Sequence, residues 1–305
     1  MPHQNPLVQS LLELSDAIEQ LATTIAQQKN SDQLIQQKQL SVITQKFKHA
    51  TQLIQPATQQ DNAALIQQKY QNGFLKNHLD NQGIFISTTI ESLRADENLY
   101  KAVDYLQDHY ALLKDFYEHL KRSQVLKKNF NHKSTAQAIR YIQDWCKMLH
   151  HHKIIDDFKV LNQSEIFVDT AQIIQATSFI NGYWLEVLLR REIALFLHAN
   201  LAQIQSFDIL SQTTVLKQDQ SNTELDLLLM INQKVYWFEC KSGQISNYFE
   251  RFKGTKKDLG ISDNQAFLVI PAQDHNIPLH AKKRSNMLTL FGTELETQLK
   301  NYLDL

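Results

Sequence analysis

Asp226, Glu239 and Lys241 combine the residue types that hydrolysis of a phosphate ester requires. Mg²⁺ or Mn²⁺ binds oxygen ligands, often one or two carboxylates together with a substrate phosphate. The bound cation activates water, and a lysine beside it stabilises the negative charge that develops on the phosphate. Asp226 and Glu239 are therefore candidate metal ligands, and Lys241 is a candidate catalytic cation.

The segments that carry these residues are predicted to be two adjacent strands. Residues 224–231 and 235–241 are apolar on both faces, and Asn232-Gln233 between them is predicted to form a tight turn. Strands of this kind lie in the centre of a sheet that helices cover. Alternation along the second strand places Glu239 and Lys241 on the same face. A lone Glu-x-Lys pattern is more often an ion pair on an exposed strand, but an aspartate on the neighbouring strand favours the catalytic interpretation.

Glu186 is a fourth candidate, because it lies in a predicted helix shortly before these strands. The helix extends over residues 182–199, and its apolar side includes Leu185 and Leu189. Glu186 lies at the edge of that side, where it can face a cleft. An ion pair with Arg190, four residues later on the helix, is the alternative role.

The order of a helix glutamate, a strand aspartate and Glu-x-Lys resembles the PD-(D/E)xK nucleases, which have the restriction-endonuclease-like fold. More narrowly, Gly-x-Trp-Leu-Glu, Glu-Leu-Asp and Glu-Cys-Lys-Ser-Gly resemble the nuclease domain of CRISPR-associated effectors that cyclic oligoadenylate activates. The resemblance extends from about Gln172 to the C-terminus. It implies a catalytic set of Glu186, Asp226, Glu239 and Lys241. It also implies that Mg²⁺ or Mn²⁺ binds the three carboxylates of that set.

The predicted elements after Lys241 follow the same order as in this family. A helix over residues 244–259 is followed by a strand, a basic turn, a second strand and a last helix from Thr293. The two strands are predicted at 266–270 and 287–291.

The chain differs from these families in two respects. Leu225 stands where the superfamily's name has a proline, and the narrower family shows the same change. Residues 1–170 lack the early hydrophobic strand, glycine-rich turn and helix of the nucleotide-sensing Rossmann-like domain that those effectors carry. Activation by cyclic oligoadenylate is therefore not expected from the sequence.

Basic residues flank the proposed site in sequence and are candidate contacts for the phosphates of a nucleic acid. They are Arg251, Lys253, Lys256, Lys257, Lys282, Lys283 and Arg284. Solvated faces of a surface helix and a turn explain these residues equally well. Gln244 is a further candidate, because residues 244–248 fit the Gln-h-x-x-Tyr pattern of RecB-like nucleases. An ordinary polar residue in the first turn of a helix is the alternative for Gln244.

The composition limits the class of protein. A chain of 305 residues forms one large or two modest domains. Its net charge of -1 at pH 7 argues against a strongly basic polyanion-binding protein. The two cysteines, Cys146 and Cys240, give no disulfide framework, and a reducing cytoplasm is the expected compartment. No apolar run approaches the length of a membrane span, so we expect no membrane partner.

The first half of the chain has the pattern of long helices. From Leu7 to Ile25, leucine and isoleucine recur at spacings of three and four within a glutamine-rich region, residues 7–55. A helical bundle with solvated glutamine faces and a coiled coil both fit this pattern. Further helices are predicted over residues 63–79, 90–107 and 110–125.

A helix and a hairpin are predicted between the helical region and the candidate site. Ser134-Thr135 is a candidate N-cap for a helix that ends near His150. Two strands follow, with a turn at residues 161–164. This arrangement resembles the end of a winged helix, although a connector is the simpler interpretation. The three adjacent histidines, 150–152, point in different directions on a helix, so we expect a solvated helix end there and not a metal site.

The predicted fold class is α + α/β in three parts. Residues 1–133 form a helical bundle or coiled-coil region, residues 134–170 a helix-hairpin connector, and residues 171–305 a restriction-endonuclease-like α/β domain with a mixed sheet. The expected function is metal-dependent hydrolysis of DNA or RNA by a homodimer, in anti-phage or CRISPR-linked defence. The alternative is a nucleic-acid-binding or assembly protein that keeps the fold without turnover. Retention of all four catalytic groups argues against that alternative.

Overall fold

The computed structural model of the protein describes residues 68–90, 99–126, 128–217, 219–243, 245–271 and 285–303. From Lys69 onwards these residues belong to one compact unit, Lys69–Leu305. The predicted bundle or coiled coil of residues 7–55, with its apolar stripe from Leu7 to Ile25, lies outside the described residues. So do Gln244 and the basic turn at 282–284.

The described α-helices, in chain order, are α1 Phe74–Asn81, α2 Tyr100–Asp108, α3 Tyr110–Leu126, α4 Ala136–His151, α5 Ile174–Ser178, α6 Trp184–Ala199, α7 Phe249–Asp258 and α8 Leu295–Tyr302. The strands are β1 Phe85–Ile90, β2 Asn129–Lys133, β3 Ile155–Asn162, β4 Glu165–Thr170, β5 Phe207–Leu216, β6 Asn222–Ile231, β7 Lys234–Cys240, β8 Ala266–Ile270 and β9 Leu288–Phe291. They form a six-stranded sheet, β1-β5-β6-β7-β8-β9, and a three-stranded sheet, β2-β4-β3. Among these helices none is long and apolar enough to cross a membrane.

The large sheet is mixed, as predicted. β1, β5, β6 and β7 pair antiparallel, whereas β7, β8 and β9 run parallel. The predicted turn at Asn232-Gln233 joins β6 to β7, and both residues have positive φ, 49° and 68°. Positive φ at both central positions is typical of the type I′ turn, whose twist matches that of the flanking strands.

Helices cover both faces of this sheet and bury its apolar side chains. On one face Trp237 lies 6.1 Å from Phe252 of α7, measured between ring centroids, and leucines of α1 join the same core. On the other face Phe238 and Phe267 stack at 4.9 Å. Tyr302 of α8 lies 6.0 Å from Phe267, and α8 packs against α6. Strands buried on both faces explain why β6, β7 and β8 are apolar throughout.

The small sheet and α4 form around the predicted cap and hairpin. The Thr135 hydroxyl accepts a hydrogen bond from the Ala138 amide at 3.2 Å, so Thr135 caps the start of α4. Trp145 of α4 donates from Nε1 to the Ala102 carbonyl at 2.9 Å and so ties α4 to α2. β3 and β4 pair across the predicted turn, and β2, which was not predicted, completes the sheet beside β4.

Two strands lie in the region 1–133 that was predicted to be helical. β1 ends where the predicted helix of residues 90–107 begins, and it pairs with β5 as the outermost strand of the large sheet. The next described helix, α2, begins at Tyr100. The prediction was wrong at Ile90, which ends β1 and pairs with Ser211 of β5, because a β-branched residue favours a strand once a partner strand is present.

Three other elements begin or end at residues that differ from the prediction. α1 begins at Phe74, after Gly73 with φ 91°, so the predicted helix from residue 63 does not continue unbroken to residue 79. Residues 246–248 form a 3₁₀ turn before α7 begins at Phe249. β7 ends at Cys240, one residue before Lys241, although the Lys241 amide still donates to the Val269 carbonyl of β8 at 2.9 Å.

Candidate active site

The β6-β7 hairpin brings Asp226 and Glu239 to the same face of the large sheet. The register pairs Leu227 with Phe238, and one further step along each antiparallel strand places Asp226 opposite Glu239. Asp226 Oδ2 accepts a hydrogen bond from the Cys240 amide at 2.6 Å. The backbone pairing of β6 with β7 therefore ends here, and the Asp226 side chain accepts the hydrogen bond of the next amide on β7.

Glu239 is a buried carboxylate with two cationic partners. Its side chain is 1 % exposed, and Oε1 accepts from Lys241 Nζ at 2.8 Å and from Arg251 Nη2 at 3.1 Å. Its other oxygen, Oε2, is buried and has no hydrogen-bond partner among the residues that the structure describes. A buried carboxylate oxygen without a partner is rare, because it loses its hydration without compensation. This atom is where a bound cation would fit.

Glu186 lies in the first turn of α6 and faces the same cluster. The Gln212 amide donates from Nε2 to Glu186 Oε2 at 3.4 Å. Burial raises the pKa of Glu186 to about 7; Arg190 and Lys241 lower it, while Glu224 raises it further. Glu186 is therefore partly protonated near neutral pH and can exchange a proton there.

The charges of the cluster are strongly coupled. Burial raises the pKa of Asp226 well above its usual range, and repulsion from Glu239 and Glu186 adds to the effect. Burial alone would lower the pKa of Lys241, but Glu239 and Asp226 outweigh it, and the pKa is raised. Lys241 stays protonated at neutral pH, and three crowded carboxylates favour the arrival of further positive charge.

The four residues predicted from the sequence therefore interact with one another. The arrangement of the carboxylates nevertheless differs from the three-ligand site that the resemblance implied. Among the described residues no group of three or more His, Cys, Asp or Glu side chains is arranged to hold a metal ion. Glu186 Oε2 faces Gln212, and Glu239 Oε1 is paired with Lys241 and Arg251. Asp226 and Glu239 remain as a candidate ligand pair, which fits Mg²⁺ or Mn²⁺ because such ions are held by one or two carboxylates plus substrate phosphate.

Gln212 belongs to the site but was not predicted from the sequence. It lies in β5 with φ 47°, a backbone conformation that a non-glycine residue rarely adopts. This kink in the strand directs its amide to Glu186. A single polar residue within a strand gives no sequence signal for such a kink.

A buried polar network fixes the loop that follows Lys241. Ser242 Oγ accepts from the Tyr117 hydroxyl of α3 at 3.0 Å and donates to the Asn181 carbonyl at 3.4 Å. Trp184 Nε1 donates to the Tyr117 oxygen at 3.0 Å. Gly182, with φ 135°, lies so close that a Cβ there would be 2.8 Å from Ser242 Oγ. The network connects α3 and the start of α6 to the residue after the candidate catalytic lysine.

The basic residues that were predicted to contact nucleic acid have different surroundings in the structure. Arg251 is bound to Glu239 and lies over the Tyr248 ring at 5.0 Å. Lys256 is largely buried and donates to Asp263 and to the Asn286 carbonyl, so it ties loops together. Lys253 pairs with Glu250 at 3.0 Å on the surface, and Lys257 is exposed. Of the members of this set that the structure describes, Arg251 alone contacts a residue of the candidate site.

Solved structures with the same fold include two that cover three quarters of the chain. Protein VC1899 of Vibrio cholerae matches with a TM-score of 0.53 at 18% identity, covering 75% of this chain. Can2 of Sulfobacillus thermosulfidooxidans, solved in complex with cyclic tetra-adenylate, matches with a TM-score of 0.56 at 14% identity, again covering 75% of this chain. The match covers 60% of each of those chains. No family model and no curated protein matches the chain. At these identities the likeness shows a shared mixed α/β fold.

Proposed function

We propose that the chain is a divalent-metal-dependent nuclease of the restriction-endonuclease-like class that hydrolyses phosphodiester bonds of DNA or RNA. The observation that carries the proposal is the buried Glu239, with one oxygen held by Lys241 and Arg251 and the other without a hydrogen-bond partner in the described part of the chain. A buried anion that faces both cations and a second carboxylate suits a site that binds a metal ion and a phosphate.

Each residue of the candidate site has a role in this proposal. Asp226 and Glu239 would hold Mg²⁺ or Mn²⁺, and the bound ion would supply an activated water and stabilise charge on the phosphate. Lys241, kept protonated by Glu239 and Asp226, offers its ammonium to a phosphate oxygen.

The biological role that we propose is anti-phage or CRISPR-linked defence. Two observations support it. The motifs around Glu186, Asp226 and Lys241 resemble those of effectors that cyclic oligoadenylate activates, and the chain shares its fold with Can2, a protein that was solved with cyclic tetra-adenylate bound. The signal that activates this chain is not part of the proposal.

A second candidate function is a nucleic-acid-binding or assembly protein that keeps the fold without turnover. The observation that favours it is the carboxylate arrangement, since no three-ligand metal group forms within the described ranges. The two functions differ in one measurable property, which is cleavage in the presence of a divalent ion.

The first prediction is that the protein cleaves nucleic acid only with a divalent metal. Plasmid DNA, single-stranded DNA and RNA are incubated with the protein in Mg²⁺, Mn²⁺ or EDTA. We expect products from at least one substrate in Mg²⁺ or Mn²⁺ and none in EDTA, because the site needs a cation beside Glu239. Protein carrying Asp226→Asn and purified in parallel controls for contaminating nucleases. Binding without cleavage in every condition would favour the second candidate function.

We also propose that the protein acts as a homodimer. Nucleases of the class that the sequence resembles often cut two strands with two sites, and a dimer supplies both sites. Light scattering of the full chain over a range of concentrations should give the mass of two chains. A monomer mass that does not change with concentration would contradict the dimer.

A further inference from the structure

Lys121 is a cation next to the candidate active site that the proposed reaction does not yet use. It lies on α3, and its Nζ donates to the Ser242 carbonyl at 3.2 Å and approaches Ser242 Oγ at 3.4 Å. Ser242 directly follows Lys241, so two lysines from distant parts of the chain flank one loop. The Tyr117 ring lies 5.2 Å from Lys121 Nζ and favours this position of the ammonium.

The charge of Lys121 is only weakly compensated. Among the described residues its ion-pair partner is Glu118, with Oε1 at 3.8 Å on a side chain that is 36% exposed. An ion pair of that length near solvent contributes little. The other two contacts, a carbonyl and a hydroxyl, are neutral. The Lys121 side chain is 18% exposed, so part of it faces solvent.

Gly243 leaves room for an anion beside the backbone. This residue is exposed, and among the described residues, its chain neighbours aside, a Cβ built on it would meet only the Lys121 ammonium, at 3.3 Å. A glycine at such a position lets a ligand approach the main chain closely. The ammonium therefore lies beside the exposed Gly243 backbone, two residues after Lys241.

We propose that Lys121 and the Gly243 backbone form a subsite for a second, non-scissile phosphate of the nucleic acid that is cleaved at Lys241. The inference rests on the proposed nuclease function and deepens it. It makes α3, which lies outside the predicted nuclease domain of residues 171–305, part of the substrate-binding surface. A single nucleotide would leave this subsite empty, whereas a polynucleotide would fill both positions.

A purely structural role for Lys121 is the competing explanation, in which it only holds the loop. The two roles differ in how binding depends on salt. A lysine that neutralises a phosphate releases counterions, and its loss lowers the slope of log K against log salt by about 0.9 on duplex DNA or about 0.7 on single strands. A lysine that only holds the loop in place has no effect on that slope. Lys121→Gln removes the charge and keeps a hydrogen-bond donor, whereas Lys121→Arg keeps both.

The test measures binding of labelled single-stranded DNA, duplex DNA and RNA in EDTA over a range of NaCl concentrations. Lys121→Gln should weaken binding and lower the salt slope by nearly one, and Lys121→Arg should restore both. Tyr117→Phe, which removes a hydroxyl contact to Ser242, should leave the slope unchanged. The exposed Lys114 of the same helix provides the matched control, Lys114→Ala.

An unchanged slope for Lys121→Gln, with normal binding and cleavage by the wild type, overturns the subsite and leaves the proposed function intact. A wild type that neither binds nor cleaves any of the three substrates overturns both. Thermal unfolding of each variant shows whether a change comes from a lost fold. If Lys121→Gln does not fold, Lys121→Arg and Lys121→Met provide the same comparison of charge.

Discussion

Asp226→Asn and Lys241→Ala should each slow cleavage by at least about 10²-fold, because each removes one electrostatic component of the site. Asp226→Asn removes the charge of a proposed metal ligand. Lys241→Ala removes the ammonium that lies 2.8 Å from Glu239 Oε1. Nuclease assays in Mg²⁺ with the substrate that the wild type cuts measure both effects.

Asp226→Asn is not expected to unfold the protein. In Asp226→Asn, the oxygen of the new side-chain amide can still accept the hydrogen bond that the Cys240 amide now donates to Asp226 at 2.6 Å. Burial, together with repulsion from Glu239 and Glu186, raises the pKa of Asp226 in the fold, and the change removes this buried charge. A carboxyl whose folded pKa is raised destabilises the fold above its unfolded pKa of about 4, so Asp226→Asn should raise thermal stability at neutral pH, with the gain lost in acid.

Metal addition separates the loss of a ligand from a general loss of activity. A ligand that binds the folded state raises the unfolding temperature. Mg²⁺ should therefore stabilise the wild type more than Asp226→Asn, measured by thermal unfolding with and without EDTA. Lys241→Ala should lose less of the wild-type affinity for nucleic acid than of the wild-type cleavage rate, because Arg251 and Lys121 remain near the site.

The control for these variants is a surface pair of the same residue types. Asp144 and Lys147 of α4 form an exposed ion pair at 2.7 Å, and Asp144→Asn and Lys147→Ala should cut at the wild-type rate. If the double variant Asp226→Asn with Lys241→Ala also cuts at that rate, the cleavage site lies elsewhere and the proposed role of the hairpin is wrong.

The hairpin could be predicted from the sequence because its determinants are local. Alternation over β6 and β7 and the two-residue turn at Asn232-Gln233 fix which side chains share a face. The relation of Asp226 to Glu239 follows from that register without knowledge of the rest of the fold.

The surroundings of the hairpin depend on contacts between distant parts of the chain. Tyr117 and Ser242 are 125 residues apart in sequence, and nothing near either residue indicates the other. β1 was included in a helical region for the same reason, since its partner β5 lies far along the chain. The Gln212 side chain reaches Glu186 from a backbone with positive φ, and no residue pattern in β5 predicts that conformation.

Arg251 shows how packing changes the role of a predicted residue. The sequence placed it among solvent-facing candidates for phosphate contact. In the fold, Phe252 of the same helix packs on Trp237, and this contact turns α7 so that Arg251 reaches Glu239. The orientation of a helix on a sheet depends on such core contacts and not on the helix sequence alone.

Gly182→Ala should destabilise the protein by about 2 kcal/mol or more and reduce cleavage. An L-residue at φ 135° is strained by about 1–3 kcal/mol, and the new Cβ would lie 2.8 Å from Ser242 Oγ. Because Ser242 follows Lys241, relief of this clash moves the loop that positions the ammonium. Thermal unfolding and the cleavage rate measure the two effects.

Two further variants separate the clash from the strain. Ser242→Ala in the Gly182→Ala background removes Oγ and leaves the Cβ of residue 242 at 3.7 Å, an ordinary contact, so part of the lost activity should return while the backbone strain remains. Gly254 lies inside α7 with nothing within 4 Å of a Cβ, and Gly254→Ala should stabilise the fold by up to about 1 kcal/mol at unchanged activity. If Gly182→Ala behaves like Gly254→Ala, the packing of Gly182 against Ser242 does not hold the loop, and Lys241 must be positioned by β7 and β8 alone.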